Sequence, residues 1–165
     1  MSAGDIKIVD LGGRNVSPVR RFVTESAETA INPGEPVVIS NTNVYVIAAV
    51  DADGVCYADY FVGIAAKVSS HSASADGYVD VYLDLPGVIY AAKPKTAGSC
   101  NTQAKIDALM FKRVILDLTA SKYTVDTANA GGVTQSIMIM GGNPDQDECY
   151  FAVCDQGTWR NYGHG

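Results

Sequence analysis

The side chains best able to do chemistry in this sequence are carboxylates that occur in close pairs. Asp80 and Asp84 stand four residues apart in an alternating segment. On a strand this spacing separates them by roughly 13 Å, which is too far for the paired carboxylates of a glycosidase. Residues 51–54 and 145–148 hold further pairs, but neither group supplies the full ligand set of a calcium loop. These carboxylates therefore predict neither catalysis nor a metal site.

Other patterns that could support an enzyme are equally incomplete. His71 is surrounded by serines at positions 69, 70 and 72, but neighbours on one loop do not build a catalytic triad. The glycine pairs at 131–132 and 141–142 match no phosphate-binding loop, and the sequence has no nucleophile elbow. We therefore expect a protein that is not an enzyme, with no catalytic residue and no cofactor.

The four cysteines are Cys56, Cys100, Cys149 and Cys154, and no two of them form a CxxC motif. Cys149 and Cys154 are five residues apart, so on one continuous strand they would point to opposite faces and could not bond to each other. We interpret all four as small, reduced, apolar side chains. A disulfide and a zinc site are the alternatives.

Composition restricts the partners. The chain has 165 residues, of which 47% are hydrophobic and only 18% are charged. So weakly charged a surface favours burial of part of it against a protein partner. A net charge of −6 argues against nucleic acid, which requires a basic face. No stretch has the roughly 20 apolar residues of a membrane span, and the N-terminus lacks a secretory signal, so we expect synthesis in the cytoplasm.

Short strands dominate the segment from residue 30 to residue 95. The clearest alternates between an apolar face and a polar face over residues 78–85, bounded by Asp-Gly and Pro-Gly. Its apolar face comprises Val79, Val81, Leu83 and Leu85, and its polar face Tyr78, Asp80, Tyr82 and Asp84. Gly63 lies inside another apolar strand, where a side chain would obstruct a close backbone approach. This segment predicts a barrel-like domain.

Residues 96–165 predict a second β-rich region packed on the first. Asn101 or Thr102 is a candidate N-cap for one short helix that runs to about Met110 and buries Ile106. Strands then follow at 112–118, around 123–125 and at 137–140, with a hairpin into 148–154. The predicted fold is mainly β (α+β): a small β-barrel or sandwich of short antiparallel strands with one short helix.

Residues 1–29 predict an extended N-terminal arm. Ile6, Ile8 and Leu11 indicate one short strand that Gly12 and Gly13 end, but the arm is too poor in apolar residues to fold alone. It is either a disordered tail or a segment that becomes ordered on a partner. The candidate partner-binding residues are Arg20, Arg21, Phe22 and Val23 in the arm, Tyr78 and Tyr82 on the alternating strand, and Trp159 near the C-terminus.

The run PGEPVVI, then FVGIAAK, then GYVDVYLDLPGVIYAA resembles the decoration (cement) proteins that bind the outside of tailed-bacteriophage capsids. The later run AKIDALMFKRVILDLTASKYTVDTA and SIMIMGGNPDQDECYFAV adds to the resemblance. It implies a structural protein on the virion exterior, with the major capsid protein and further copies of itself, as a homotrimer, for partners. It carries over no catalytic residue. The alternative is a carbohydrate-binding or fibre-type adhesion module that uses exposed tyrosines and Trp159.

Overall fold

The computed structural model describes residues 6–16, 18–24, 26, 30–39, 47–49, 60–119, 122–128 and 137–154. Within these ranges the chain is mainly β, as predicted, with two antiparallel sheets and one short helix. The sheets form a small sandwich and not a closed barrel. The strands are β1 (Lys7–Leu11), β2 (Val19–Thr24), β3 (Pro36–Ile39), β4 (Ile47–Ala49), β5 (Tyr60–Ala65), β6 (Gly77–Leu83), β7 (Val88–Ala92), β8 (Arg113–Thr119), β9 (Lys122–Asp126), β10 (Ile137–Asn143) and β11 (Glu148–Val153).

The six-stranded sheet has the order β1-β7-β11-β10-β8-β9, and the five-stranded sheet has the order β2-β6-β5-β3-β4. Both sheets therefore take strands from distant parts of the chain. β7 belongs to the first predicted region, yet it pairs with β11 of the second. The predicted division between residues 95 and 96 thus separates strands that share one sheet.

Two apolar clusters form the core. The larger is shared by the two sheets and is centred on Tyr90, whose ring meets Phe61 edge-on at 5.9 Å and stacks on Phe151 at 5.7 Å. The smaller lies on the other face of the five-stranded sheet, which curls until its outer strands β2 and β4 touch. This smaller cluster comprises Ile31, Val37, Val62, Ala65, Val79 and Val81.

The N-terminal arm is corrected by the structure wherever its residues are described. β1, which the sequence predicted, is an edge strand paired with β7, and Ile6 before it is buried in the larger core. Lys7 Nζ also donates a hydrogen bond to Glu148 Oε1 at 2.8 Å. β2 is paired along its whole length with β6. Backbone pairing with strands far along the chain supplies the stability that the arm's own few apolar residues could not.

The alternating strand confirms part of its predicted pattern. Val79 and Val81 are fully buried in the smaller cluster, and Leu83 packs against it. Gly63 makes the predicted close approach, since a Cβ there would lie 1.8 Å from the carbonyl oxygen of Tyr82. Asp84 departs from the prediction of a polar, outward face. It is 2% exposed and accepts a hydrogen bond from the hydroxyl of Tyr90 at 3.0 Å.

β6 ends at Leu83, so the strict alternation stops there. Leu85 accordingly packs against the larger cluster, away from Val79 and Val81. The sequence pattern continues for two residues past the end of the strand, which is why the predicted faces fail at Asp84 and Leu85.

The helix is found where it was predicted. Helix α1 spans Gln103–Leu109, with Thr102 as its N-cap and Ile106 as its buried residue. The side chain of Thr102 accepts a hydrogen bond from the backbone N–H of Lys105, which satisfies one of the donors left unpaired in the first turn. β8, β9 and the β10–β11 hairpin also occupy their predicted segments.

The prediction that every cysteine is a thiol is wrong. Cys100 and Cys149 form a disulfide, with their Cα atoms 6.2 Å apart. The carboxylate of Asp147 joins the same two segments. It accepts hydrogen bonds from the backbone N–H of Gly98 at 2.6 Å and of Cys100 at 2.8 Å. The loop before α1 is thus fixed to the β10–β11 hairpin by a covalent bond and a carboxylate. Cys154 is a buried thiol, and Cys56 lies outside the described residues.

Candidate functional site

The paired strands β2 and β6 bring together six of the seven predicted partner-binding residues. In their antiparallel register Arg21 lies opposite Asp80, and Val23 lies opposite Tyr78. Phe22 lies opposite Val79, so it belongs to the other side of the pair. Residues that are some 60 positions apart in the chain therefore lie side by side on two paired strands. The seventh residue, Trp159, lies outside the described residues.

Strand geometry divides these residues between two faces, because successive side chains point to opposite sides of a sheet. One face, here called the outer face, consists of Val19, Arg21 and Val23 of β2 and Tyr78, Asp80 and Tyr82 of β6. Val19 is 51% exposed and Tyr78 is 53% exposed, and Val23 is exposed beside them. The outer face is therefore a patch of large apolar groups around one central ion pair.

The central ion pair is bidentate. Arg21 Nε donates a hydrogen bond to Asp80 Oδ1 at 2.8 Å, and Arg21 Nη2 donates one to Asp80 Oδ2 at 3.2 Å. Lys67 Nζ lies 3.6 Å from Oδ2, on the segment that follows β5. The guanidinium also lies 5.8 Å from the centre of the Tyr78 ring, within range of a cation–π contact. These contacts hold an otherwise flexible arginine in one orientation on the surface.

Arg21 stabilises the ionised form of Asp80. The hydrogen bond from Arg21 lowers the pKa of Asp80 below its ordinary value of 3.8, aided by the positive charges of Arg21 and Lys67 and opposed by partial desolvation. The same hydrogen bond raises the pKa of Arg21. The pair is therefore fully ionised at neutral pH.

This shift predicts an acid-dependent loss of stability. Because the pKa of Asp80 is lowered in the folded protein, its contribution is present above about pH 4 and is lost as the pH falls through the folded value. Asp80→Asn should be slightly less stable than the wild type at neutral pH, and the two should converge in acid. Thermal midpoints of both proteins between about pH 2 and pH 7 measure this; a difference that persists at the lowest pH would contradict it.

Phe22 and Tyr82 are less accessible than the other predicted residues. Phe22 packs against the smaller core cluster, and the guanidinium of Arg20 lies over its ring at 5.4 Å. Tyr82 is partly buried against the larger cluster. Of the predicted set, Arg20, Arg21, Val23 and Tyr78 are exposed, and Arg20 lies on the face opposite the other three.

Val19 on the outer face and Lys67 beside it were missed in the sequence. Val19 precedes the pair of arginines and has no signal of its own, and only the β2–β6 register shows that it joins Tyr78 and Val23. Lys67 reaches Asp80 because the backbone from Ala66 to Ser70 runs beside β6, with Ser70 N–H donating to the carbonyl of Tyr78 at 2.9 Å. Such contacts depend on strand pairing that no local pattern reveals.

A groove of about 640 Å³ lies between β1 and the ends of the strands of the five-stranded sheet. Its walls are mostly apolar, with Ile6, Ile8 and Val9 on one side and Ile64 and Ala65 on the other. Among the described residues, no three His, Cys, Asp or Glu side chains are grouped so as to hold a metal ion, in this groove or elsewhere.

The chain matches no protein-family model and no curated protein. No helix within the described ranges is long and apolar enough to cross a membrane.

Proposed function

We propose that this chain is a structural decoration protein that binds the outer surface of an assembled bacteriophage capsid and stabilises it. The observation that carries the proposal is the outer face of β2 and β6, which exposes Val19, Val23 and Tyr78 around an ordered arginine. Tyrosine and arginine are enriched in protein–protein interfaces, and a contiguous apolar patch on a soluble protein is typical of an interaction site.

The geometry of Arg21 favours strong contact with a partner. Asp80 and Tyr78 already restrict its side chain, so binding costs less rotamer entropy than it would for an unrestrained arginine. Its remaining N–H groups can donate to carbonyl or carboxylate oxygens of the capsid. The surrounding valines and tyrosine exclude water from those hydrogen bonds, which is the arrangement of a binding hot spot.

The mechanism of stabilisation would be thermodynamic linkage. A protein that binds only the assembled shell lowers the free energy of that state by its binding free energy, and the effect is repeated at every equivalent site. The buried disulfide is compatible with service in oxidising surroundings, virion surfaces among them. On this proposal the partners are the major capsid protein and further copies of this chain as a homotrimer.

The experiment adds purified protein to phage capsids assembled without it, and measures bound protein by sedimentation and by imaging of the shells. Arg21→Glu and Tyr78→Ser are each expected to weaken attachment at least tenfold, or about 1.4 kcal/mol, because each removes a central contact of the outer face. Lys122→Glu, the same charge reversal on the exposed end of β9, is the matched control and should bind as the wild type does.

Wild-type affinity in both outer-face variants would contradict this placement of the contact, and failure of the wild type to bind would contradict the function itself. The alternative, a carbohydrate-binding or fibre-type module, would need an aromatic platform. Of the tyrosines whose side chains the structure describes, Tyr78 is exposed, Tyr82 and Tyr150 are partly buried, and Tyr90 and Tyr123 are buried. That function would therefore need Trp159 or other aromatic side chains outside the described ones in addition to Tyr78.

A further inference from the structure

The two cations around Asp80 are far more exposed than the carboxylate that they surround. The side chains of Arg21 and Lys67 are 64% and 75% exposed, whereas that of Asp80 is 15% exposed. A molecule that approaches the outer face therefore meets a guanidinium and an ammonium, with the negative charge largely covered beneath them. Two cations around one anion leave a local positive charge, in a chain whose net charge is −6. Asp76, four positions before Asp80, is roughly 13 Å away along the strand direction and does not cancel this charge.

Strand pairing sets the positions of both cations. β6, which carries Asp80, lies between β2 and β5, so Arg21 reaches Asp80 from one neighbouring strand and Lys67 from the segment that follows the other. The backbone N–H of Ala66 donates to the carbonyl of Asp80 at 2.7 Å and fixes the start of that segment. Arg21 Nη2 and Lys67 Nζ approach the same oxygen, Oδ2, at 3.2 Å and 3.6 Å. The two nitrogens are therefore close enough for one further carboxylate to bridge them.

Both cations keep capacity for further hydrogen bonds. A guanidinium has five N–H groups, and the bonds from Arg21 to Asp80 use two of them. The Lys67 ammonium has three donors, and its distance of 3.6 Å to Asp80 is longer than a direct hydrogen bond. A carboxylate accepts hydrogen bonds from an arginine and a lysine at once, and such charge-assisted bonds are stronger than those to a neutral carbonyl.

From this charge distribution we infer that the outer face binds an acidic segment of the capsid shell, whose aspartate or glutamate carboxylate bridges Arg21 and Lys67. Charge complementarity selects the partner, because a basic segment would meet two exposed cations of its own sign. Val19 and Val23 are exposed on the same face, so apolar residues should flank the acidic one. This assignment of the partner rests on the proposed capsid function and adds the chemistry that the capsid must present.

The anion is a protein carboxylate and not a phosphate of nucleic acid or lipid. Exposed valines gain nothing from contact with a phosphate surface, whereas they pack against the apolar side chains of a protein. A net charge of −6 also repels a polyanion at long range, while one carboxylate in a mixed protein surface does not provoke that repulsion.

The first measurement tests the chemistry of the partner. Wild-type protein is added to DNA-free capsids assembled without it, after the surface carboxylates of the capsids have been converted to neutral amides with a carbodiimide and glycinamide. Attachment, followed by sedimentation, is expected to fall at least about tenfold relative to untreated capsids, because the anion that binds Arg21 and Lys67 is gone. Capsids whose surface lysines have been acetylated are the matched control and should bind as untreated capsids do. Imaging confirms that both treatments leave the shells intact.

The second measurement varies the charge at position 67. Lys67→Arg should bind capsids as the wild type does, Lys67→Met several-fold more weakly, and Lys67→Glu at least about tenfold more weakly. These differences should shrink between about 50 mM and about 500 mM salt, because screening reduces the attraction between charges. Since Lys67 is largely exposed, the thermal midpoints of the three variants should match that of the wild type.

Wild-type attachment by all three Lys67 variants, or undiminished attachment to capsids with blocked carboxylates, would overturn the acidic partner while leaving the proposed function in place. Stronger attachment of Lys67→Glu would point to a basic partner, and attachment that requires DNA in the capsid would point to phosphate; each contradicts the inference. Arg21→Glu and Tyr78→Ser report on the outer face as a whole, and a wild type that binds no capsid contradicts the function itself. The failures of the two proposals can therefore be distinguished.

Discussion

Val79→Asp is expected to unfold the protein. Val79 is 1% exposed within the smaller core cluster and lies opposite Phe22, so the new carboxylate would be buried among apolar side chains. An uncompensated buried charge costs about 3–5 kcal/mol, which is comparable to the whole stability of many domains of this size. Circular dichroism and a thermal melt should show loss of the cooperative transition at room temperature, or a midpoint lowered by more than about 10 °C.

Tyr78→Asp is the control for this prediction. It introduces the same side chain one residue earlier on the same strand, at a position that is half exposed on the outer face. We expect it to fold with a midpoint within a few degrees of the wild type, because the carboxylate stays in water beside Arg21. Equal effects of the two substitutions, or a larger effect at position 78, would show that the register of β6 is shifted by one residue.

The sequence predicted those elements whose signal is local. The two-residue period marked β6, and the spacing of Thr102 and Ile106 marked α1 with its cap. Val114 and Leu116 on β8 and Tyr123 and Val125 on β9 are buried as their alternation predicts. In each case the information lies within a few neighbouring residues, because the period of the side chains equals the period of the backbone.

Pairing between distant segments was not predictable in this way. β2 has one buried residue, Thr24, and its other residues are mostly exposed. Its sequence alone therefore predicts an arm that cannot form its own core. It is a strand because β6, more than 50 residues later, supplies its hydrogen bonds. Asp84 is buried for a similar reason, since its partner Tyr90 comes from the following strand. The Cys100–Cys149 bond likewise joins segments that only the folded sheet brings together.

The sequence predicted which types of residue form the candidate site but not how these residues are arranged. Arginines and tyrosines suggested contact with a protein, and Arg21 and Tyr78 are indeed neighbours across two strands. The sequence could not show that Arg20 and Arg21 lie on opposite faces, because this follows only if both residues are known to be in a β-strand.

Loss of the Cys100–Cys149 disulfide is expected to destabilise the protein strongly. The bond joins residues 49 positions apart, and closing a loop of that length in the unfolded chain corresponds to about 4 kcal/mol in the chain-entropy description. For a chain of this length that corresponds to a fall of about 8–16 °C in the thermal midpoint. Asp147 would still hold the loop before α1 through two backbone hydrogen bonds, so the native topology should persist.

The measurement compares the wild type with Cys100→Ser/Cys149→Ser and with wild type that has been reduced in denaturant and refolded with reductant. Reduction must precede folding, because Cys100 is 1% and Cys149 0% exposed and a reductant reaches them only when the protein opens. Reductant should lower the midpoint of the wild type and leave that of the double variant unchanged, since the double variant has no bond between these positions to lose. Thiol titration of the unreduced, denatured wild type should find two fewer thiols than the four cysteines of the sequence. A full count of four, together with a midpoint insensitive to reductant, would mean that the two sulfurs lie together in the fold without a covalent bond, and that the 98–100 loop depends on Asp147 alone.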